Sequence, residues 1–419
     1  MPFLYRAIGL GFLACCLLAL ALKLLIPLPA PLGYAPVDLG LGPRVAPVEV
    51  VIWYGTEKQI WLEEAARRFQ ARGETVGVRP ITIRLEGMGS REIAERVTRQ
   101  DWSVAPRPTV VSPASSLWTD TLASEWAARN RSTIIAGEAT PLALTPLVAV
   151  AWEQRARLLW LDGATDFWND LHDAIADERG WSAVAEARGF GPDTPEGKQA
   201  QRWGPVKLGH TSPLTSNSGA QTLVLMAYAF HDKTADLTVA DVEDPAFLAW
   251  LEAMEIGVYD LGSSTGTLMQ KMVQLGPGSY DIVIVYENLA IEYMATGEQR
   301  WNQPLRVYYP PATIFSDHPY AILDDPLTTR EEREAARRFR DFLLQRPQQE
   351  LALQSGFRPI DPDVVMSGAD PTNPFVRYAD RGVSLDIAAQ VESPPAEVLA
   401  ALLNAWDRRI RPLTPPPTS

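Results

Sequence analysis

Hydroxyl and amide side chains crowd one stretch of this chain, KLGHTSPLTSNSGAQTLVLMAYAF (207 to 230). Thr211, Ser212, Thr215, Ser216, Asn217 and Ser218 lie between a strand that ends near His210 and a long apolar helix that begins near Ser218. A helix start carries free N–H groups and partial positive charge, so such a loop suits an anion or a polar ligand. Ordinary capping uses one such residue, not a run of them. Three other strand ends repeat the arrangement on a smaller scale: GTEK (55 to 58), GMGS (87 to 90) and SPASS (112 to 116). Small residues there let backbone approach a ligand closely. GSSTGT (262 to 267) is a further hydroxyl-rich turn, and the strand SYDIVIVYE (279 to 287) ends on Tyr286 and Glu287.

Groups for turnover are harder to find. H-E-x-x-H and S-x-x-K are absent, and Gly197-Lys198-Gln199 lacks the glycine and hydroxyl of a phosphate-binding P-loop. His210 could act as a base for Ser218, but an ordinary strand-end histidine bonded to its neighbours is the favoured reading, and His318 in SDHP reads as support for the bend at Pro319. The chain is therefore read as a binding protein with no cofactor. Cys15 and Cys16 are its two cysteines, so the remainder has no disulfide and no thiolate metal site. With 38 Lys+Arg against 51 Asp+Glu, a formal net charge of −13 and no basic run, the chain repels phosphate backbones, and nucleic acid is not an expected partner. Thirteen tryptophans open a sugar-stacking alternative, although Trp53, Trp61 and Trp118 fall at core positions.

The elements that must hold these loops are legible in the spacing. VEVVIWY (48 to 54) followed by KQIWLEEAARRFQAR (58 to 72) reads as a strand, a turn and a helix. ITIRLEG with SREIAERVTRQ (81 to 100), and PTVVS with SSLWTDTLASEWAAR (108 to 129), repeat the unit. Such a series implies a largely parallel α/β sheet, which binds ligands beyond the carboxyl ends of its strands. Two apolar crossings, PLALTPLVAVAW (141 to 152) and LRVYYPPATIFSDHPYAIL (305 to 323), separate a second α/β lobe from the first. The expected division is an apolar signal or membrane anchor over 1 to 32, a linker over 33 to 46, and lobe 1 over 47 to 146. Lobe 2 follows over 147 to 306, then the remainder of lobe 1 with C-terminal helices over 307 to 411, and a disordered tail over 412 to 419. The anchor segment holds Arg6, an apolar run to Ile26 broken by Lys23, and Cys15 as a candidate lipid site; each reading places the lobes outside the cytoplasm.

With those residues in view, the chain resembles the extracellular solute-binding proteins of ABC-type importers, in the cluster related to molybdate-, sulfate- and phosphate-binding proteins. VEVVIWYGTEKQIWLEEAARRF, TVVSPASSLW, KLGHTSPLTSNSGAQTL, SYDIVIVYE, YYPPATIFSDHPYAIL and SGFRPIDPDV carry the resemblance, from about residue 47 to about 365. It implies a type II periplasmic-binding-protein fold: two α/β lobes, each a mostly parallel sheet flanked by helices, joined by two crossing strands. It also implies an oxyanion ligand, an ABC-type permease as partner, and ligand contacts from Gly55, Thr56, Ser90, Ser115, Ser216, Asn217, Ser218 and Tyr286, with Ser116 and Thr215 in the same loops.

Two features depart from that pattern. Glu57 and Glu287 add negative charge beside the expected anion site. The branch is often fused to a von Willebrand factor A domain, but Asp260-Leu261-Gly262-Ser263-Ser264 is the nearest approach to its Asp-x-Ser-x-Ser motif, so a partner A domain is expected on a separate chain. Beside the transport reading stand a membrane-tethered sensor or protein-interaction module with a degenerate cleft, and a receptor for a sugar or another polar solute.

Overall fold

The computed structural model describes residues 45–160 and 166–411. The expected anchor with Cys15, nearly all of the linker and the 412 to 419 tail lie outside them. No helix among the described residues is long and apolar enough to cross a membrane.

Strand β1 (Val48–Gly55) is buried on both faces except at Glu49, as the centre of a helix-covered sheet must be. Its Val50, Ile52 and Tyr54 pack toward helix α1 (Gln59–Ala71) and a late helix, α13 (Arg330–Leu343), where Phe69, Phe339 and Phe342 meet. Val51 and Trp53 face α2 (Ser90–Arg99) and α3 (Ser116–Asn130) through Ile93, Val97 and Trp118. The sheet order is β2-β3-β1-β4-β11-β5, with β2 at Thr75–Val76, β3 at Arg79–Met88, β4 at Val110–Ser112, β5 at Thr140–Pro141 and β11 at Pro319–Ile322. β3, β1 and β4 run parallel, and β11 lies antiparallel to β4.

The second lobe is built on β6 (Ala143–Trp152), paired antiparallel with β8 (Ile282–Tyr286), β9 (Leu305–Tyr308), β10 (Phe315–Ser316) and β12 (Arg358–Pro359). β7 (Leu208–Gly209) joins β8 in parallel, and bridges Leu208 to Val258 and Thr211 to Gly262 extend that parallel run. Antiparallel pairing therefore has a larger share here than a mostly parallel sheet implies, because the long crossing strand β6 is the common partner.

Helices α4 to α7 (Glu153–Leu159, Phe167–Ala176, Trp181–Ala187, Pro195–Trp203) lie between β6 and β7. Asp281, fully buried, ties it to the sheet: it accepts from Arg155 Nε (2.8 Å), Trp181 Nε1 (3.0 Å) and Lys207 N (2.9 Å). Next come α8 (Asn217–Phe230), α9 (Val239–Val242), α10 (Pro245–Glu255), α11 (Thr265–Leu275), α12 (Glu287–Trp301) and, after α13, α14 (Arg346–Gln354).

The chain after residue 360 departs from the expected division, which kept it with the first lobe. Val391 N bonds to Thr313 O and Glu392 N to Thr234 O. The last helices, α15 (Pro374–Arg377) and α16 (Ala396–Arg409), follow this path, and Trp406 Nε1 donates to Glu255 Oε1 (3.0 Å) on α10. An amphipathic pattern shows that a helix buries a face but not which sheet receives it. The crossings themselves lie side by side on β6, where Thr145 pairs with Ser316 and Ala143 with Pro359.

Candidate ligand site at the lobe junction

Parallel register places the loops of the first lobe together. Gly55 pairs with Met88 and Tyr54 with Ser112, so β1, β3 and β4 end on one edge and deliver the starts of α1, α2 and α3 there. β7, the 258 to 262 segment and β8 do the same for α8, α11 and α12 in the second lobe. Six helix starts thus lie at the junction of the lobes, with their N–H groups and positive dipole ends.

Direct bonds join the two sides. Thr56 Oγ1 donates to Ser264 Oγ (2.8 Å), Arg91 N and Glu92 N donate to Thr215 O (3.0 and 3.2 Å), and Trp118 Nε1 donates to Asn217 Oδ1 (2.8 Å). Asn288 Nδ2 donates to Glu57 O (2.9 Å). Asn217 Nδ2 reaches Tyr286 OH (2.8 Å) and Ser316 Oγ (3.1 Å). Around Ser218 a buried hydroxyl cluster forms: its Oγ is 2.7 Å from both Thr211 Oγ1 and Thr265 Oγ1, and Ser216 Oγ is 3.3 Å from Thr265 Oγ1. Burial, with the charge of Glu57 added, pushes the Tyr286 phenol well above its ordinary value, so it keeps its proton. Beside the Thr56–Ser264 contact opens a groove of about 290 Å³ lined by Thr56, Glu86, Met88, Glu92, Ser264 and Thr267.

Of the expected residues, Thr56, Thr215, Ser216, Asn217, Ser218 and Tyr286 thus meet at the junction. Ser90 is buried in the same edge, where its Oγ accepts from Ala114 N (2.9 Å). Gly55 lies beneath the Glu57 carboxylate, which a Cβ at 55 would meet at 2.3 Å. Ser115 caps its own helix through Leu117 N (3.3 Å), and Ser116 is held by its N–H on Asp317 Oδ1 (2.8 Å); among the described residues neither side chain bonds to the second lobe.

Both suspect carboxylates have cations of their own. Glu57 Oε1 lies 2.6 Å from Lys58 Nζ and 3.3 Å from His318 Nδ1. Burial alone would raise the Glu57 pKa, but Lys58 and His318 hold it down to about 2. Glu287 takes a bidentate bond from Arg358 Nε and Nη2 (2.8 Å each) and a short one from Tyr309 OH. Neither Glu57 nor Glu287 therefore adds free negative charge to the junction, and the two carboxylates that line the groove are also paired, Glu86 with Arg84 (2.8 Å) and Glu92 with Arg96 (2.7 Å). Lys58, His318, Ser264, Thr265, Trp118, Asn288 and Ser316 were not among the expected contacts. Only Ser264 and Thr265 carried the signal of the other loops, hydroxyls at a helix start.

One motif escapes the sequence reading: Gly262-Ser263-Ser264-Thr265-Gly266 has G-x-S-x-G spacing. The Ser264 hydroxyl bonds to Thr56 Oγ1 and Thr267 Oγ1 (2.9 Å), while the His210 ring is engaged by Thr211 O (2.8 Å) and Glu255 Oε1 (3.1 Å), so no nucleophile–base pair forms there. Among the described residues no group of three or more His, Cys, Asp or Glu could hold a metal ion.

Solved structures share this architecture. The chain superposes on a periplasmic thiamin-binding protein with a TM-score of 0.57 at 11% identity, covering 88% of this chain and 99% of that one. Iron-bound HitA from Pseudomonas aeruginosa gives 0.52 at 15% identity, with 86% and 99% covered. The sulfate-binding protein SubI from Mycobacterium tuberculosis gives 0.50 at 18%, with 89% and 100% covered. At these identities the likeness is one of fold. No curated protein matches the chain by sequence. The family model for bacterial extracellular solute-binding proteins matches residues 50–358, from within β1 to the start of β12, and the chain belongs to that family of binding proteins.

Proposed function

We propose that this protein captures a small oxyanion between its lobes and delivers it to an ABC-type permease. The observation that carries the reading is the meeting of helix starts from both lobes around neutral donors: the Ser216, Ser218 and Thr265 hydroxyls, the Asn217 amide and the Tyr286 phenol. Neutral N–H and O–H donors in a dehydrated site stabilise a fully ionised anion without a buried counter-charge. Pairing of Glu57 with Lys58 and of Glu287 with Arg358 removes the electrostatic objection to an anion. Ser112 Oγ, Asn288 Oδ1 and His318 Nε2 are buried without a hydrogen-bond partner among the described residues, and each belongs to a loop or helix start of this ring. A bound anion accepts from the Ser112 hydroxyl and from His318 Nε2 where that nitrogen carries the proton, whereas the Asn288 Oδ1 acceptor takes its partner from water. Family membership places the lobes outside the cytoplasm; a tether through residues 1 to 32 and a separate A-domain partner complete the proposal.

The test is calorimetric titration with molybdate, tungstate, sulfate and phosphate, alongside thiamin, maltose and ferric iron. Heat from one or more oxyanions, absent in Asn217→Ala/Ser218→Ala, supports the reading. Heat from a sugar or cation alone replaces the ligand class. Silence across the panel in a folded sample leaves the tethered interaction module, which the extent of protein-to-protein bonding at the junction favours.

A further inference from the structure

The first turns of two helices at the junction are capped by the opposite lobe. A helix leaves its first N–H groups without partners inside the helix, so something outside must satisfy them. At α2 of the first lobe the N-cap residue is Gly89, which has no side chain for the purpose, and Arg91 N and Glu92 N both donate to the Thr215 carbonyl of the second lobe. At α11 of the second lobe the Ser264 side chain caps no backbone N–H of its own helix. Gly266 N instead donates to Thr56 Oγ1 (3.1 Å) of the first lobe, and Thr56 Oγ1 donates in turn to Ser264 Oγ.

The two glycines at these points are required by space. A Cβ on Gly89 would lie 2.4 Å from Thr215 O, and one on Gly266 would lie 2.8 Å from Thr56 O. Gly89 has φ −69°, a value open to any residue, and Gly266 sits within a helix. Each lobe alone would accept alanine there; only the lobes together exclude it.

We infer that Thr56, Gly89, Thr215 and Gly266 form a closure latch, an exchange of helix caps that holds the lobes together through protein groups alone. The closed form is then populated without solute, and the solute strengthens closure instead of creating it. In this role the four are positioning residues: they set how far the lobes approach, whichever solute binds.

The experiment measures the distance between the two helices that exchange caps. In the full chain, with Cys15→Ser and Cys16→Ser, spin labels are placed through Arg99→Cys at the exposed end of α2 and Gln270→Cys on the exposed side of α11. The protein is unfolded, dialysed and refolded to strip any co-purified solute, and the distance distribution is read by pulsed electron resonance. The latch requires one dominant short separation in the parent. It also requires a shift of the main population to longer separations in Gly89→Val and Gly266→Val, with circular dichroism unchanged. Thr56→Val should shift the population likewise and Thr56→Ser should restore it, a pair that keeps the test intact if a valine at 89 or 266 prevents folding. A mainly long separation in the stripped parent overturns the inference, as does a parent-like distribution in folded Gly89→Val or in Thr56→Val. A chain that closes but takes no oxyanion refutes only the ligand class; a chain that takes an oxyanion but rests open refutes only the latch.

Discussion

Lys58 Nζ sits 2.6 Å from Glu57 Oε1, and the two neighbouring side chains are 0% and 3% exposed. Adjacent residues rarely turn inward together. Here the tight turn at Thr56–Lys58 aims both at the space between β1 and the residues before β11, where Lys58 also donates to Pro113 O (3.2 Å). The pair sits directly behind the loop that carries Thr56, so its integrity sets the position of that loop.

Removing one partner strands a buried charge. Lys58→Met should cost about 3–5 kcal/mol of stability, and Glu57→Gln/Lys58→Met should recover part of it; denaturant melts of the three proteins check this. The Glu57 pKa lies at about 2 against an ordinary 4.5, so the stability it contributes is complete above pH 4.5 and is lost as the pH falls through about 2. Glu57→Gln should flatten the stability profile over that acid window.

His210 titrates with the opposite sense. Burial opposes its charge, but the Glu255 carboxylate and the Thr211 carbonyl outweigh burial and raise its pKa above 6.5. Its contribution to stability is therefore fully present below pH 6.5 and is lost as the pH rises through the folded value. Urea unfolding at a series of pH values from 6 upward should show the parent losing stability relative to His210→Asn. Parallel curves for the two proteins would remove the assignment.

Asn217 and Ser115 separate a site role from a capping role. Asn217→Ala leaves Trp118 Nε1 without its acceptor and strips donors from Tyr286 and Ser316, at about 1–3 kcal/mol, and should abolish solute binding. Ser115→Ala loses one cap bond, at about 0.5–2 kcal/mol, and should leave affinity within a few-fold. Titration and thermal melts of both variants give the comparison.

Asp281→Ala should be among the most damaging single changes outside the site. It leaves the buried Arg155 guanidinium unpaired and frees Trp181, so a loss of about 3–5 kcal/mol is expected. Limited proteolysis should then cut between β6 and β7 first, where α4 to α7 lose their attachment to the sheet.

Much of the first lobe is legible in the sequence because each strand, turn and helix there is local: a buried run such as VEVVIWYG leads directly into its helix. The hydroxyl loops are legible for the same reason. What the sequence does not carry is the pairing across the lobes. Nothing local tells Gly266 that its acceptor is Thr56, 210 residues away, or sends the α16 apolar stripe to α8 and α9 rather than α13. The inward turn of Lys58 is equally hidden, because a lysine at a helix start looks like any solvated one until His318 and Pro113 are placed around it.

The chain passes between the lobes at β5–β6, at β10–β11 and again through β12, and all three passages lie within four consecutive residues of β6, from Ala143 to Pro146. A ribbon three strands wide behaves like the spine of a book. It bends readily across its width and resists shear and twist within its plane, since either would break several ladder bonds together. Release of the latch inferred above would therefore open the two covers along essentially one arc. The same arc brings Gly89 back onto Thr215 and Gly266 back onto Thr56 on every closing stroke, without any search over lateral alignments.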